Sequence, residues 1–159
     1  MSRPLVVILA GSKADEAHYQ LIAQTAAEFD LDVIIRIGSA HKTPEHALSI
    51  LKQYEDDPRA KVYITVAGRS NALSGFVDGS VIAPVIACPP LGDHFASVDV
   101  FSSLRMPSGV APAVVLEPKN AAFLAARILG LNDEKVRNKV KEFQNKQRQQ
   151  ILEADKQIN

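Results

Sequence analysis

The chain has 159 residues, of which 47% are hydrophobic and 23% are charged, a size and mixture that predict one compact domain over residues 1–159. Eighteen basic side chains balance eighteen acidic ones, and this zero net charge argues against proteins that hold nucleic acid or an anionic membrane through a global field. The lone cysteine, Cys88, excludes an intramolecular disulfide, and the apolar run over residues 5–10 is too short for a membrane span, so we expect a cytoplasmic protein.

Strands and helices alternate along the sequence. In chain order the patterns predict a strand over 5–9, a helix over 13–29, a strand over 32–37, a helix from Thr43-Pro44 to Pro58, strands over 61–66, 84–87 and 113–116, a helix over 118–129 and a polar helix over about 132–157. The strands are largely apolar, which is typical of a parallel sheet covered on both faces. The pattern therefore predicts an α/β fold, a three-layer doubly wound parallel sheet with an extra C-terminal helix.

The helix termini carry capping signals. Thr43 precedes Pro44 as a cap before a first-turn proline, Gly130 ends the helix over 118–129, and Asn132 is expected to cap the last helix. That last helix has a narrow apolar stripe that follows the completed sheet, so we expect it to pack on a neighbouring subunit of a homo-oligomer. The stripe consists of Val136, Val140, Phe143, Ile151, Ala154 and Ile158.

Three loops follow the first three strands, over residues 11–15, 38–44 and 67–71, and should meet where parallel strands end. The first and third loops combine small residues with hydroxyls at helix starts, where a phosphate could bind. The alternative is capping alone, by Ser12 in the first loop and by Ser70 before a third helix. Neither loop matches a Walker lysine loop or a complete dinucleotide glycine fingerprint, which argues against nucleoside triphosphates and NAD.

The second loop places His41 beside Lys42 directly after an apolar strand, where an imidazole could transfer protons near neutral pH. The alternative is a surface histidine without a task. His18 and His46 fall on predicted helices and are interpreted as surface or packing residues, whereas His94 is left open. The histidines lack the spacing of a metal site.

A fourth segment runs through Cys88-Pro89-Pro90-Leu91 and continues at residues 102–109. Its prolines, small residues and Arg105 could form a dry wall and an anion clamp. A rigid turn before a helix end fits the same residues equally well.

Taken together, four ordered motifs between residues 6 and 130 resemble those of the aminoimidazole ribonucleotide carboxylase and mutase family. They are Gly11-Ser12-Lys13-Ala14-Asp15, Ser39-Ala40-His41-Lys42-Thr43-Pro44, Ala67-Gly68-Arg69-Ser70-Asn71 and Ser103-Leu104-Arg105-Met106-Pro107-Ser108-Gly109. The resemblance implies a flavodoxin-like fold, a homo-octamer or homotetramer, a small nucleotide substrate, and no metal or organic cofactor.

Within this family, one branch moves a carboxylate already attached to the substrate's amine, and the other, class II, uses carbon dioxide. The chain is more similar to the second. Its third loop lacks the extra glycines and the second histidine of the mutase branch, and Lys42 stands where that branch usually has arginine. Residues 87–91 also resemble the carboxylase-like domain of the animal bifunctional enzymes.

The resemblance implies that His41 is the catalytic proton carrier, with either Lys42 or Arg69 at the phosphate. The implied substrate-binding residues are Gly11, Ser12, Asp15, Ser39, Ala40, Lys42, Ala67, Gly68, Arg69 and Ser70. The alternatives are a mutase and a non-catalytic flavodoxin-like module that binds a phosphorylated ligand. A phosphoacceptor domain would need an aspartate at a strand tip, and a flavin protein would need aromatic residues in the three loops, which this sequence lacks there.

Overall fold

The computed structural model describes residues 2–92 and 96–158, so His94 lies outside the described residues. The elements are β1 Leu5–Ala10, α1 Glu16–Glu28, β2 Asp32–Ile37, α2 Pro44–Glu55, β3 Lys61–Val66, α3 Leu73–Asp78, β4 Val85–Ala87, α4 Phe101–Leu104, β5 Ala113–Val114, α5 Pro118–Leu129 and α6 Glu134–Lys156. Short 3-10 turns precede α1 at Lys13–Asp15 and α4 at Val98–Val100. Each strand and long helix lies within a few residues of its predicted position.

The described strands form one five-stranded parallel sheet in the order β2-β1-β3-β4-β5. Leu5 of β1 lies opposite Asp32 of β2 on one side and Lys61 of β3 on the other. The chain therefore leaves β1 towards one edge and returns to build the other half of the sheet from β3. The predicted doubly wound α/β fold is confirmed, and its switch point lies between β1 and β3, where such folds bind ligands.

Strand β1 lies at the centre of the fold, and all six of its residues are 0% exposed. Val6, Ile8 and Ala10 pack in the cluster that includes residues of α1 and α5, whereas the alternate residues Leu5, Val7 and Leu9 pack in a cluster with α2 and α3 residues. Because both faces of the strand are covered, its sequence is continuously apolar. These two layers of core hold the carboxyl ends of β1 and β3 in a fixed position.

The helix starts differ in detail from the predicted caps. Pro44 opens α2 as expected, but the Thr43 hydroxyl does not cap the helix; it accepts a hydrogen bond from the Ser39 backbone N–H instead. Asn132 was the wrong cap for α6. Asp133 occupies that position and its carboxylate accepts the Val136 N–H at 3.0 Å, since α6 begins at Glu134.

The long helix α6 divides into two parts. In its first half Val136 and Val140 are buried in the core, and the Phe143 ring lies 5.5 Å from Phe29 and 5.0 Å from Phe123. This half completes the chain's own core, contrary to expectation, because it covers the aromatic pair between α1 and α5. In the second half the large apolar side chains Ile151 and Leu152 are 72% and 53% exposed. Packing of this half on a neighbouring subunit stays a prediction.

None of the helices in the described part of the chain combines the length and the apolar character needed to cross a bilayer.

Candidate active site

The three loops begin side by side because each continues the sheet's hydrogen-bonding. The Gly38 N–H donates to the Ala10 carbonyl and the Gly11 N–H to the Val66 carbonyl, both at 2.9 Å. The loops enclose a cavity of about 510 Å³, within the size range of small-molecule sites. Its lining consists of Gly11, Ser12, Ala14, Asp15, Ser39, Ala40, His41, Lys42, Ala67, Gly68, Arg69, Ser70 and Leu73. Every residue that the resemblance implies for catalysis or substrate binding lines this one cavity, and Ala14 and Leu73 join them.

The first loop is shaped by a cap. The Ser12 hydroxyl accepts the Ala14 N–H at 3.0 Å and opens the 3-10 turn before α1. The capping interpretation of Ser12 is therefore correct, and the residue also lines the cavity. A serine hydroxyl that accepts one bond still has its own proton to donate, so Ser12 is able to serve both roles.

Asp15 lies half-buried at the base of the same loop. Burial raises the pKa of its carboxyl, while the neighbouring His18 and Arg69 side chains oppose that rise. The carboxylate therefore faces a cation from the third loop across the cavity. A carboxylate at this place can accept hydrogen bonds from ligand hydroxyls.

The second loop is closed by paired hydrogen bonds. The Ser39 N–H donates to the Thr43 hydroxyl at 3.0 Å, and the Thr43 N–H donates to the Ser39 carbonyl at 2.9 Å. The Lys42 N–H also donates to the Ser39 hydroxyl at 3.1 Å. His41 lies in the turn that these bonds define.

The His41 ring is exposed at the cavity, and within residues 2–92 and 96–158 it has no hydrogen-bond partner. Both ring nitrogens are therefore open to a ligand. The backbone of this residue is fixed by the loop, whereas its ring makes no hydrogen bond. Such an imidazole suits proton transfer near neutral pH.

The third loop is held by the segment around α4. Arg69 adopts a left-handed backbone conformation, with φ of 58°. Its backbone N–H donates a hydrogen bond to the Asp99 carboxylate at 3.0 Å. The Asn71 N–H donates to the Ser102 hydroxyl, and the Asn71 side-chain amide donates to the Ser103 hydroxyl, each at 2.9 Å. These bonds stabilise a loop conformation that a non-glycine residue rarely adopts.

Ser70 does not cap α3, contrary to one of the two interpretations. The side-chain oxygen of the neighbouring Asn71 accepts the Ser74 N–H at 3.1 Å, and Ser70 faces the cavity instead. Asn71 is 3% exposed, so its side chain is committed to structure. The sequence pattern had assigned the capping role one residue too early.

Arg105 does not line the cavity that contains His41. It lies beside a second, more open cavity of about 740 Å³, which shares Arg69 and Ser70 with the first. Val98 and Phe101 give that second cavity an apolar wall. The larger cavity lacks the imidazole and two of the three loops, so we assign the chemistry to the smaller one. The serines of this segment, rather than Arg105, support the site.

His18, interpreted from the sequence as a surface or packing residue, packs against Cys88. Its Nε2 lies 3.1 Å from the Cys88 carbonyl oxygen and 3.3 Å from the Cys88 sulfur. Burial lowers its pKa, against the opposing effects of the Cys88 carbonyl, Asp15 and Glu117. Its position three residues after Asp15, on one face of α1, was the available signal.

Across the described ranges, 2–92 and 96–158, no three His, Cys, Asp or Glu side chains converge as metal ligands.

Comparison with known proteins gives a consistent result. The family model for AIR carboxylase matches residues 5–150. Phosphoribosylaminoimidazole carboxylases of Treponema denticola and Archaeoglobus fulgidus are 56% and 53% identical, over 98% and 96% of this chain and 98% and 83% of theirs. The crystal structure of Treponema denticola PurE superposes with a TM-score of 0.97 at 56% identity, covering 99% of both chains. The chain belongs to the AIR carboxylase family.

Proposed function

We propose that this chain is a phosphoribosylaminoimidazole carboxylase, a carboxy-lyase of de novo purine biosynthesis. It joins carbon dioxide to 5-aminoimidazole ribonucleotide and forms 4-carboxy-5-aminoimidazole ribonucleotide. The observation that carries the proposal is a free imidazole, that of His41, in the same cavity as Lys42, Arg69 and the serine hydroxyls. The printed names of the relatives at 56% and 53% identity support it.

The cavity's polar groups suit a nucleoside monophosphate. Ser12 and Asp15 hold the ribose and phosphate end, and Ser39 and Ser70 complete the anion pocket with the two cations. Lys42 offers a compact charge, whereas Arg69 offers a planar fork that matches a phosphate or a carboxylate. The two cations together can neutralise the phosphate and the new carboxylate, one at each.

The reaction needs little activation beyond positioning. The electron-rich ring carbon attacks carbon dioxide, so a carbon–carbon bond forms and an electron pair moves onto a carboxylate oxygen. The attacking ring carbon still carries its hydrogen. His41 removes that hydrogen as a proton, and the C–H electron pair restores the aromatic ring. Holding the reactants within about 3–3.5 Å and excluding water supplies the rest of the rate enhancement.

The use of carbon dioxide, rather than transfer of a carboxylate from the substrate's amine, is supported by residues 68–73 and Lys42, which lack the mutase pattern. The assay follows product formation from aminoimidazole ribonucleotide with bicarbonate and carbonic anhydrase, against the carboxyamine isomer without added carbon dioxide. Faster turnover with carbon dioxide is expected. Preference for the carboxyamine would make the enzyme a mutase, and binding without consumption of either would leave a ligand-binding module.

The assembly is proposed as a homo-octamer or homotetramer located in the cytoplasm. Ile151 in the second half of α6 and Ile158 just beyond the helix are 72% and 85% exposed, and exposed apolar side chains of this size support association with another chain. Light scattering on the purified protein should give the mass of four or eight chains. A monomer at micromolar concentration would contradict the assembly.

A further inference from the structure

His18 makes a hydrogen bond whose direction is set by its partner. A carbonyl oxygen only accepts, so the Nε2 that lies 3.1 Å from the Cys88 carbonyl must carry the ring proton. Burial lowers the pKa of this imidazole, which favours its neutral form. His18 therefore acts on its surroundings through this hydrogen bond more than through charge.

Cys88 is a fixed point for that bond. It is 0% exposed, and its N–H donates to the Thr65 carbonyl at 2.9 Å directly after β4. Burial, and to a smaller extent Glu117, raises the pKa of its thiol to about 12, so the sulfur stays uncharged. The sulfur lies 3.9 Å from the Leu116 carbonyl, to which its weak donor points. The bond from His18 thus ties α1 to the rigid end of the sheet.

The same segment contacts the third loop. A Cβ added at Gly68 would lie 3.2 Å from the Pro90 carbonyl oxygen, so the backbones of these two residues are in close approach. Cys88 and Pro90 are two residues apart; Cys88 contacts His18 in the first turn of α1, directly after the first loop, and Pro90 contacts Gly68 in the third loop. Segment 88–90 therefore contacts both the helix that follows Asp15 and the loop that carries Arg69.

We infer that His18 is a positioning residue for nucleotide binding. Its hydrogen bond to the Cys88 carbonyl fixes the first turn of α1, and with it Asp15, relative to Gly68 and Arg69. The inference rests on the proposed function, because Asp15 is assigned there to the ribose and phosphate end. Two charged groups act on His18 and Asp15 from other elements: Glu117 acts on His18, and Arg69 acts on Asp15.

Two amide variants of His18 distinguish the effect of its hydrogen bond to the Cys88 carbonyl from the effect of having any polar side chain at this position. His18→Gln places an amide N–H near the position of Nε2, whereas His18→Asn is one methylene shorter and does not reach the carbonyl. The matched control is Thr25→Val, which removes the bond from the Thr25 hydroxyl to the Leu21 carbonyl, 2.8 Å long, on the same helix away from the cavity.

The readouts are the calorimetric Kd for aminoimidazole ribonucleotide, and KM and kcat in the carboxylation assay. We expect His18→Asn to raise Kd and KM about tenfold with kcat within about threefold of the wild type. His18→Gln should restore Kd to within about threefold, and Thr25→Val should lower the melting temperature without changing Kd.

Wild-type Kd in His18→Asn, equal loss in both amide variants, or an equal rise in Kd in Thr25→Val would each overturn the inference. A wild-type protein that binds the nucleotide without converting it would overturn the proposed carboxylation, while the Kd series would still decide the role of His18. A wild-type protein that does not bind the nucleotide would overturn both.

Discussion

Replacing Gly38 with alanine tests whether the loop that carries His41 must be held in place. An added Cβ would lie 3.3 Å from three carbon atoms, the Cα and Cβ of Ala47 and the Cδ1 of Leu9. Carbon atoms prefer separations of about 3.5–4.0 Å, so either the loop that carries the new Cβ or the neighbouring side chains must shift by a few tenths of an ångström. Leu9 and Ala47 are both 0% exposed, so we expect the loop after the edge strand β2 to take the shift.

The expected effect on catalysis follows from that displacement. A misplacement of about 1 Å can cost about 100-fold in rate, so a few tenths of an ångström should lower kcat/KM by about tenfold. Overpacking should also lower the unfolding free energy by about 1–3 kcal/mol.

Steady-state carboxylation and urea unfolding measure the two effects. The control is Gly79→Ala at the end of α3, where the nearest atom is the Gly75 carbonyl oxygen at 3.4 Å and the site is not involved. We expect the control to keep its kcat/KM. A Gly38→Ala enzyme that is destabilised yet fully active would refute the reasoning, because it would show that the position of this loop does not limit turnover.

Three further predictions concern single side chains. His41→Asn should keep the melting temperature of the wild type, since the ring is exposed. It should lower kcat by a factor on the order of ten thousand or less, and near-normal turnover would remove His41 from the mechanism. The Cys88 thiol, with its pKa raised to about 12 by burial, should not react with Ellman's reagent at about pH 8 until urea unfolds the protein; rapid native reaction would contradict its burial. Hydrogen bonds from Arg59 lower the pKa of Asp57 to about 2, so the stability that this carboxylate contributes is present above its unfolded pKa and is lost as pH falls towards 2. Asp57→Asn should therefore be less stable than wild type near pH 6, with a difference in urea midpoint that shrinks towards pH 2; a constant difference would contradict this.

The central strands β1 and β3 were predictable because burial on both faces leaves an unmistakable apolar run. Strand β3 has its predicted bounds, and β1 extends one residue further, to Ala10; the edge strand β2 also has its predicted bounds, although it is only partly buried. The edge strand β5 is only Ala113–Val114, shorter than predicted, because its pairing with β4 involves only Ile86 and Ala87. The apolar character of a segment does not show which strand it pairs with, or over how many residues.

The helix caps show a second limit of local patterns. At both Asn132-Asp133 and Ser70-Asn71, two adjacent residues could accept a free N–H from the first turn of the helix, and in both cases the second residue does so. The choice depends on the direction in which the chain enters the helix. For Ser70 this matters to function, because freedom from capping leaves its hydroxyl at the cavity.

The loops that line the site were predictable from strand order alone, since parallel strands bring their following loops to one edge. The supports of those loops were not. His18 contacts Cys88, 70 positions along the chain, and Asn71 contacts Ser103, 32 positions along. Such contacts follow from the packing of α1 and α4 on the sheet, and no spacing in the sequence encodes them.

A crystal structure with the carboxylated nucleotide bound tests the account most directly. We predict that the product occupies the cavity formed by the three loops, with a ring nitrogen of His41 within about 3.5 Å of the carboxylated carbon and with Lys42 and Arg69 at the phosphate and the carboxylate. A product bound elsewhere, or bound with the His41 ring turned away from that carbon, would contradict the central claim.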